Sequence, residues 1–167
     1  MEIPGPVVLM LLGVAVGLLP FLLLLSTSFL KVAVVLALLR NAIGVQQIPP
    51  PMALNGLAII ITMFIMLPVG KDTWVLLEQQ RLSDRLTGVE MVEIAVKSSG
   101  PLQAFLQRHV DPAVSNVLEQ TARRIWPERY QYLASADNWV VLVLAFALSE
   151  ITRAFELGFL LYLPFIC

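Results

Sequence analysis

From Val7 to Leu30 no residue carries a charge, and only Ser26, Thr27 and Ser28 bring strong polarity into the run. After Lys31 the apolar pattern resumes as Val32 to Leu39 and stops at Arg40 and Asn41. A helix drawn through this whole stretch is about 50 Å long at the usual rise per residue. A bilayer core is about 30 Å thick, so the segment must kink, break or project beyond the lipid. Pro20 and the Ser26-Thr27-Ser28 cluster are the candidate breakers. A second apolar run, Met52 to Val69, is interrupted only by Asn55, Gly56 and Thr62, and Pro68 and Gly70 are expected to close it. Between the runs lies RNAIGVQQIPPP, whose three consecutive prolines predict an extended segment that stops any helix. Residues 1–70 thus read as a long hydrophobic helical hairpin.

The pattern changes in kind over residues 71–138. Lys71 to Asp137 holds eight basic and nine acidic residues, about three quarters of the chain's charge. Helix punctuation is frequent here: Gly88, Gly100-Pro101, Asp111-Pro112 and Pro127. Asp111 followed by proline predicts an N-cap with Pro112 at the first helical position. Val114, Val117, Leu118, Thr121 and Ile125 then recur at helical spacing. The reading is a small extracytoplasmic insert of three or four short amphipathic helices. Arg40 in the short loop favours a cytoplasmic loop, and an insert longer than about 60 residues crosses a membrane largely regardless of its charge.

Residues 139–167 form a third hydrophobic segment with charges inside it. Trp139 to Ser149 is apolar, Glu150, Arg153 and Glu156 follow, and Leu157 to Cys167 is apolar again. On a helix these charges fall at i, i+3 and i+6, so neighbours can pair along one flank. A charge left at the bilayer centre costs about 2.5–3.5 kcal/mol on an insertion scale. A lone lipid-exposed helix would not carry this pattern.

Composition sets the class. Hydrophobic residues make up 58% of the 167, charged residues 14%, and the mean hydropathy is +0.82. The chain reads as an all-α membrane protein. Eleven basic residues against twelve acidic ones give a net charge of -1, with no basic stripe for a nucleic acid to follow. The single cysteine, Cys167, excludes an internal disulfide and a cysteine-based metal site. The start Met-Glu-Ile-Pro lacks a positive region, and an uncleaved first span fits better than a signal peptide.

Candidate chemistry is sparse. His109, the only histidine, sits beside Arg108 without a second metal ligand. Ser26 to Ser28 suit backbone satisfaction near a kink better than nucleophilic catalysis, since no base lies at a recognisable spacing. No enzyme activity, cofactor or metal is expected. An intramembrane enzyme would need convergent groups that the apolar runs lack, and a membrane-anchored binding module would not need Glu150, Arg153 and Glu156 inside one. Lys31 either snorkels to an interface or pairs with Glu150 or Glu156 of the same or a neighbouring subunit. Arg40, Asn41, Gln46, Gln47, Pro49 and Pro50 form either a plain connector or a contact for a partner.

Three stretches carry a family resemblance. TSFLKVAVVLALLRNAIGVQQIPPPMALNGLAIIITMFIMLPV, Thr27 to Val69, resembles the N-terminal half of the R-type export apparatus protein of bacterial type III secretion. Its flagellar counterpart is the P protein of the flagellar export gate. PLQAFLQRHVD, Pro101 to Asp111, resembles the start of that family's helical insert, and ALSEITRAFELGFLLYLPF, Ala147 to Phe165, its signature before the last hydrophobic region. RNAIGVQQIPP is closer to the non-flagellar branch. Pro51 stands where the family pattern calls for asparagine or another polar residue. The family also runs on through a further hydrophobic stretch with a methionine-rich pore loop, so the chain reads as C-terminally truncated relative to it.

The resemblance implies a multi-pass protein of the bacterial inner membrane with its insert facing the periplasm. It implies a homo-oligomer, pentamer-like in the family, joined by S-type and T-type subunits into a portal for unfolded secreted proteins. It also places the loop residues near the export gate protein. Helices in such an assembly pack mostly on one another rather than on lipid.

Overall fold

The computed structural model describes residues 5–44, 49–80, 94 and 96–166. Every regular element among them is helical: α1 (Gly5–Leu25), α2 (Phe29–Ala42), α3 (Pro51–Gln80), α4 (Gly100–His109), α5 (Pro112–Ile125), a 3-10 turn (Glu128–Leu133) and α6 (Trp139–Ile166). The chain is an all-α membrane protein. By length and composition α3 can cross a bilayer, and Val16–Leu25 with Phe29–Ala42 passes the same test only as a bent pair, a broken span or a re-entrant loop.

The first apolar run breaks at the serines and not at Pro20, which lies inside α1. Val16–Leu25 and Phe29–Ala42 meet at 62°. Short hydroxyl side chains offer the backbone alternatives to helical bonds at this point. Ser26 donates its hydroxyl to the Leu22 carbonyl, and the Thr27 hydroxyl accepts from the Phe29 N–H at 3.4 Å. Pro20 removes one backbone donor but keeps a helical φ, so α1 continues past it.

Three other boundaries differ from the sequence expectation. Arg40 and Asn41 belong to the last turn of α2, which runs to Ala42; Gly44 then takes a positive φ of 73° that reverses the chain at no steric cost. The prolines begin a helix rather than stop one. Pro51 is the first residue of α3, and the Pro50 carbonyl accepts from Ala53 at 3.0 Å and Leu54 at 3.3 Å. A proline at the first helical position gives up a donor that had no partner there anyway. Pro68 and Gly70 do not close α3, which continues to Gln80. A single missing bond does not end a helix of thirty residues, and Thr73 ties back to the Val69 carbonyl at 2.8 Å. Gly88 lies outside the described residues.

α6 is one continuous helix of 28 residues, and its buried positions explain the arrangement of everything else. Val141, Leu142, Ala145, Phe146, Ser149, Glu150, Ala154 and Gly158 fall on one stripe at helical spacing and are all buried. The upper part of the stripe packs on the insert through Leu106, Leu142 and Phe146, flanked by Phe105, Val110, Trp139 and Val143. The lower part packs on α2. Lys31 lies level with Glu150 and Leu38 level with Gly158, so α2 and α6 run in the same direction. α3 lies along α2, and its later turns reach α4.

The α2–α6 approach depends on Gly158. A Cβ there would meet the Leu38 Cδ1 in a hard clash and stand 3.1 Å from the Leu38 Cβ. In the insert, Asp111 caps α5 as the sequence predicts. Its Oδ1 accepts from the Ala113 N–H at 2.8 Å, with Pro112 at the first helical position.

Candidate functional site

Charged residues of α2 and α6 meet where these two helices approach the insert. Glu150 faces α2 because it occupies the buried stripe of α6, and only 1% of its side chain is exposed. The first turn of α2, just past the 62° bend, brings Lys31 to it: Nζ lies 2.8 Å from Glu150 Oε2. The Lys31 side chain stays 27% exposed.

Arg153, one turn further on, reaches the insert. Its Nη1 donates to the His109 carbonyl at 2.7 Å and lies 3.7 Å from Glu150 Oε1. His109 ends α4, so this carbonyl is one that the helix leaves unpaired, at the negative end of its dipole. Ser149 completes the junction. Its hydroxyl donates to the Ala145 carbonyl at 2.7 Å and accepts from the Asp111 N–H at 2.9 Å. The segment Ser149–Arg153 thus holds α2 with one carboxylate and the α4–α5 corner with a hydroxyl and a guanidinium. The His109 ring is occupied locally, with Nδ1 2.8 Å from the Phe105 carbonyl and its centroid 4.3 Å from that of Phe105.

Glu150 Oε1 is buried and accepts no hydrogen bond. An ionised carboxylate has capacity for about four donors, and a buried acceptor left unmade is costly.

Of the other residues singled out in the sequence, Glu156 is not brought to the node. Six residues on from Glu150 it has turned about 240° around the helix, to the exposed side. It joins no ion pair among the described residues. Arg40 and Asn41 sit at the end of α2, and Pro49 and Pro50 are exposed ahead of α3. Gln46 and Gln47 lie outside the described residues. The sequence reading missed Ser149, Gly158 and the backbone groups of His109 and Asp111. Gly158 had a signal, since it lies four residues after Ala154 and eight after Glu150.

Around this core the apolar faces are uncovered. Met10 of α1 is 72% exposed, and Met52 and Phe64 of α3 are 84% and 80% exposed. Faces of this size and composition belong against lipid or other helices.

The FliP family model matches residues 11–167. The chain is 42% identical over 166 residues to "Yop proteins translocation protein R" of Yersinia pestis, covering 99% of this chain and 76% of that protein. It is 39% identical over 159 residues to "Hypersensitivity response secretion protein HrcR" of Ralstonia nicotianae, covering 95% and 73%. It is 36% identical over 162 residues to "Virulence protein YscR" of Salmonella typhimurium, covering 95% and 74%.

Proposed function

The chain belongs to the FliP family, and from that premise we infer that it is a core subunit of a bacterial type III secretion export apparatus. It acts at the inner membrane as a multi-pass protein with its insert on the periplasmic side. Copies of it assemble with S-type and T-type subunits into the portal through which unfolded proteins leave the cytoplasm, next to the export gate protein. Its work is structural, without catalysis. It selects no small molecule; it supplies helices that close around a channel.

The observation that carries this reading is the Lys31–Glu150 pair. A helix made only to anchor a domain in lipid gains nothing from a buried carboxylate, which costs several kcal/mol to desolvate and must be matched from a second helix. Such a pair fixes one register between α2 and α6, as an assembling subunit requires. The uncovered faces of α1 and α3 supply the remaining surface for sister subunits.

The test is native electrophoresis of the tagged chain in mild detergent, with and without co-expressed S-type and T-type partners. A discrete larger species that depends on the partners is expected. A ladder indifferent to them would count against a portal subunit.

A further inference from the structure

α3 changes character at Gly70. Its apolar run from Met52 to Val69 is about 27 Å long at the helical rise, close to a bilayer core of about 30 Å. Lys71 and Asp72 follow at once, and Trp74 beyond them is 62% exposed. Charges and an exposed indole at the end of such a run mark the level of lipid headgroups.

Two spaces meet at this level. One is a cavity of about 320 Å³ between the end of α1, α3 and the start of α4, with Leu23, Met66, Val69, Leu77 and Leu102 in its walls. The other is an open groove on the exposed face of α3, running past Met63 and Leu67 to Lys71 and Trp74. Met66 and Gly70 line both. Gly70 has no side chain to divide them, and a Cβ built there meets nothing within 4 Å. The glycine leaves a notch in α3 between groove and cavity.

The cavity suits an apolar occupant. Of the hydroxyls in its lining, Thr73 and Ser99 donate to the Val69 and Val96 carbonyls at 2.8 Å and 2.6 Å, and Thr27 accepts from the Phe29 N–H. The unpartnered Ser98 hydroxyl is enclosed, out of a ligand's reach. The volume falls in the range of about 300–1,000 Å³ that small-molecule sites occupy. At the mouth the chemistry changes sign. Lys71 joins no ion pair among the described residues, and Asp72 lies outside the groove. A cation held at headgroup level complements a lipid phosphate.

We propose that the Gly70 notch holds one anionic phospholipid, with an acyl tail in the cavity between α1, α3 and α4 and its phosphate against Lys71. Bound there, the lipid ties the start of the insert to the two apolar helices. The site rests on the chain being a membrane protein and uses only the insert end of α3, leaving the Met52 end to sister subunits.

Native mass spectrometry of the isolated full chain in detergent with added phosphatidylglycerol tests it, without S-type or T-type partners, so the outcome is independent of assembly. One tightly retained lipid is expected. Gly70→Leu fills the notch and is expected to cut retention about tenfold or more. Gly17→Leu, at an equally open glycine on α1, is expected to leave retention unchanged. Lys71→Gln is expected to weaken it about fivefold. Equal retention in Gly70→Leu and Gly17→Leu overturns the site. Should Gly70→Leu not fold, phosphatidylglycerol with a photoreactive group at the end of its acyl tail decides on the unaltered chain. Adducts in residues 100–109 support the enclosed tail, and adducts confined to the exposed face of α3 overturn it.

Discussion

Lys31 and Glu150 meet at 2.8 Å across the α2–α6 interface, yet the two ends of the pair differ sharply in their access to water. The Glu150 side chain is 1% exposed and that of Lys31 27%. Removing one partner leaves the other behind, and the cost depends on which one remains. Lys31→Met strands a buried charge whose nearest cation, Arg153, is beyond hydrogen-bond distance at 3.7 Å. That loss is expected at about 3–5 kcal/mol. Glu150→Gln leaves an ammonium that can snorkel outward, at a cost of about 1–3 kcal/mol. Denaturant unfolding of both variants in micelles checks the order, and equal losses would show that burial does not set the energetics.

Exchanging the two signs should repair the pair only in part. With lysine at position 150, Arg153 faces a like charge one turn away. The double variant Lys31→Glu/Glu150→Lys is therefore expected to be more stable than Lys31→Glu alone but well short of the parent. Adding Arg153→Gln to the double variant should recover more. Thermal unfolding of the four chains gives the comparison, and full recovery in the double variant would remove Arg153 from the account.

Much of this was legible in the sequence, and the reasons are physical. Charges of both signs inside apolar runs demand partners, which points to Lys31 with either Glu150 or Glu156. Asp111-Pro112 is local chemistry and emerged as expected. The boundaries were less legible. Pro68 and Gly70 look like stops, but α3 runs through both to Gln80. Arg40 and Asn41 look like loop and lie on helix, because a polar residue at an exposed helix end costs little. The placing of Glu156 could have been derived, since a step of six residues on a helix leads away from the starting face.

At Gly158 two effects oppose each other. Alanine is the better helix former by about 0.5–1 kcal/mol. Against this, its Cβ would press on the Leu38 Cβ, which cannot rotate away, at 3.1 Å. Overpacking typically costs about 1–3 kcal/mol, so Gly158→Ala should destabilise on balance. Leu38→Ala in the same chain should relieve the clash, making the two changes strongly non-additive. A double-mutant cycle on thermal unfolding measures this; a Gly158→Ala chain more stable than the parent would mean that α2 and α6 do not approach so closely.

Glu156 separates stability from assembly. It lies on the exposed side of α6 among Phe155, Leu157, Phe159 and Leu160, all exposed apolar residues. An isolated charge in such surroundings costs about 2.5–3.5 kcal/mol in hydrocarbon, though a bilayer can lessen this by letting water reach it. No ion pair among the described residues repays that cost. In an assembly of sister subunits a donor from a neighbouring helix can repay it. Glu156→Leu is therefore expected to leave the isolated chain as stable or more stable in lipid, while reducing the yield of the complex with S-type and T-type partners. Glu156→Gln should fall between, because an amide keeps part of the hydrogen bonding. Unfolding of the isolated chain and native electrophoresis of the co-expressed complex give the two readings. Undiminished assembly in Glu156→Leu would leave this carboxylate without a role between subunits.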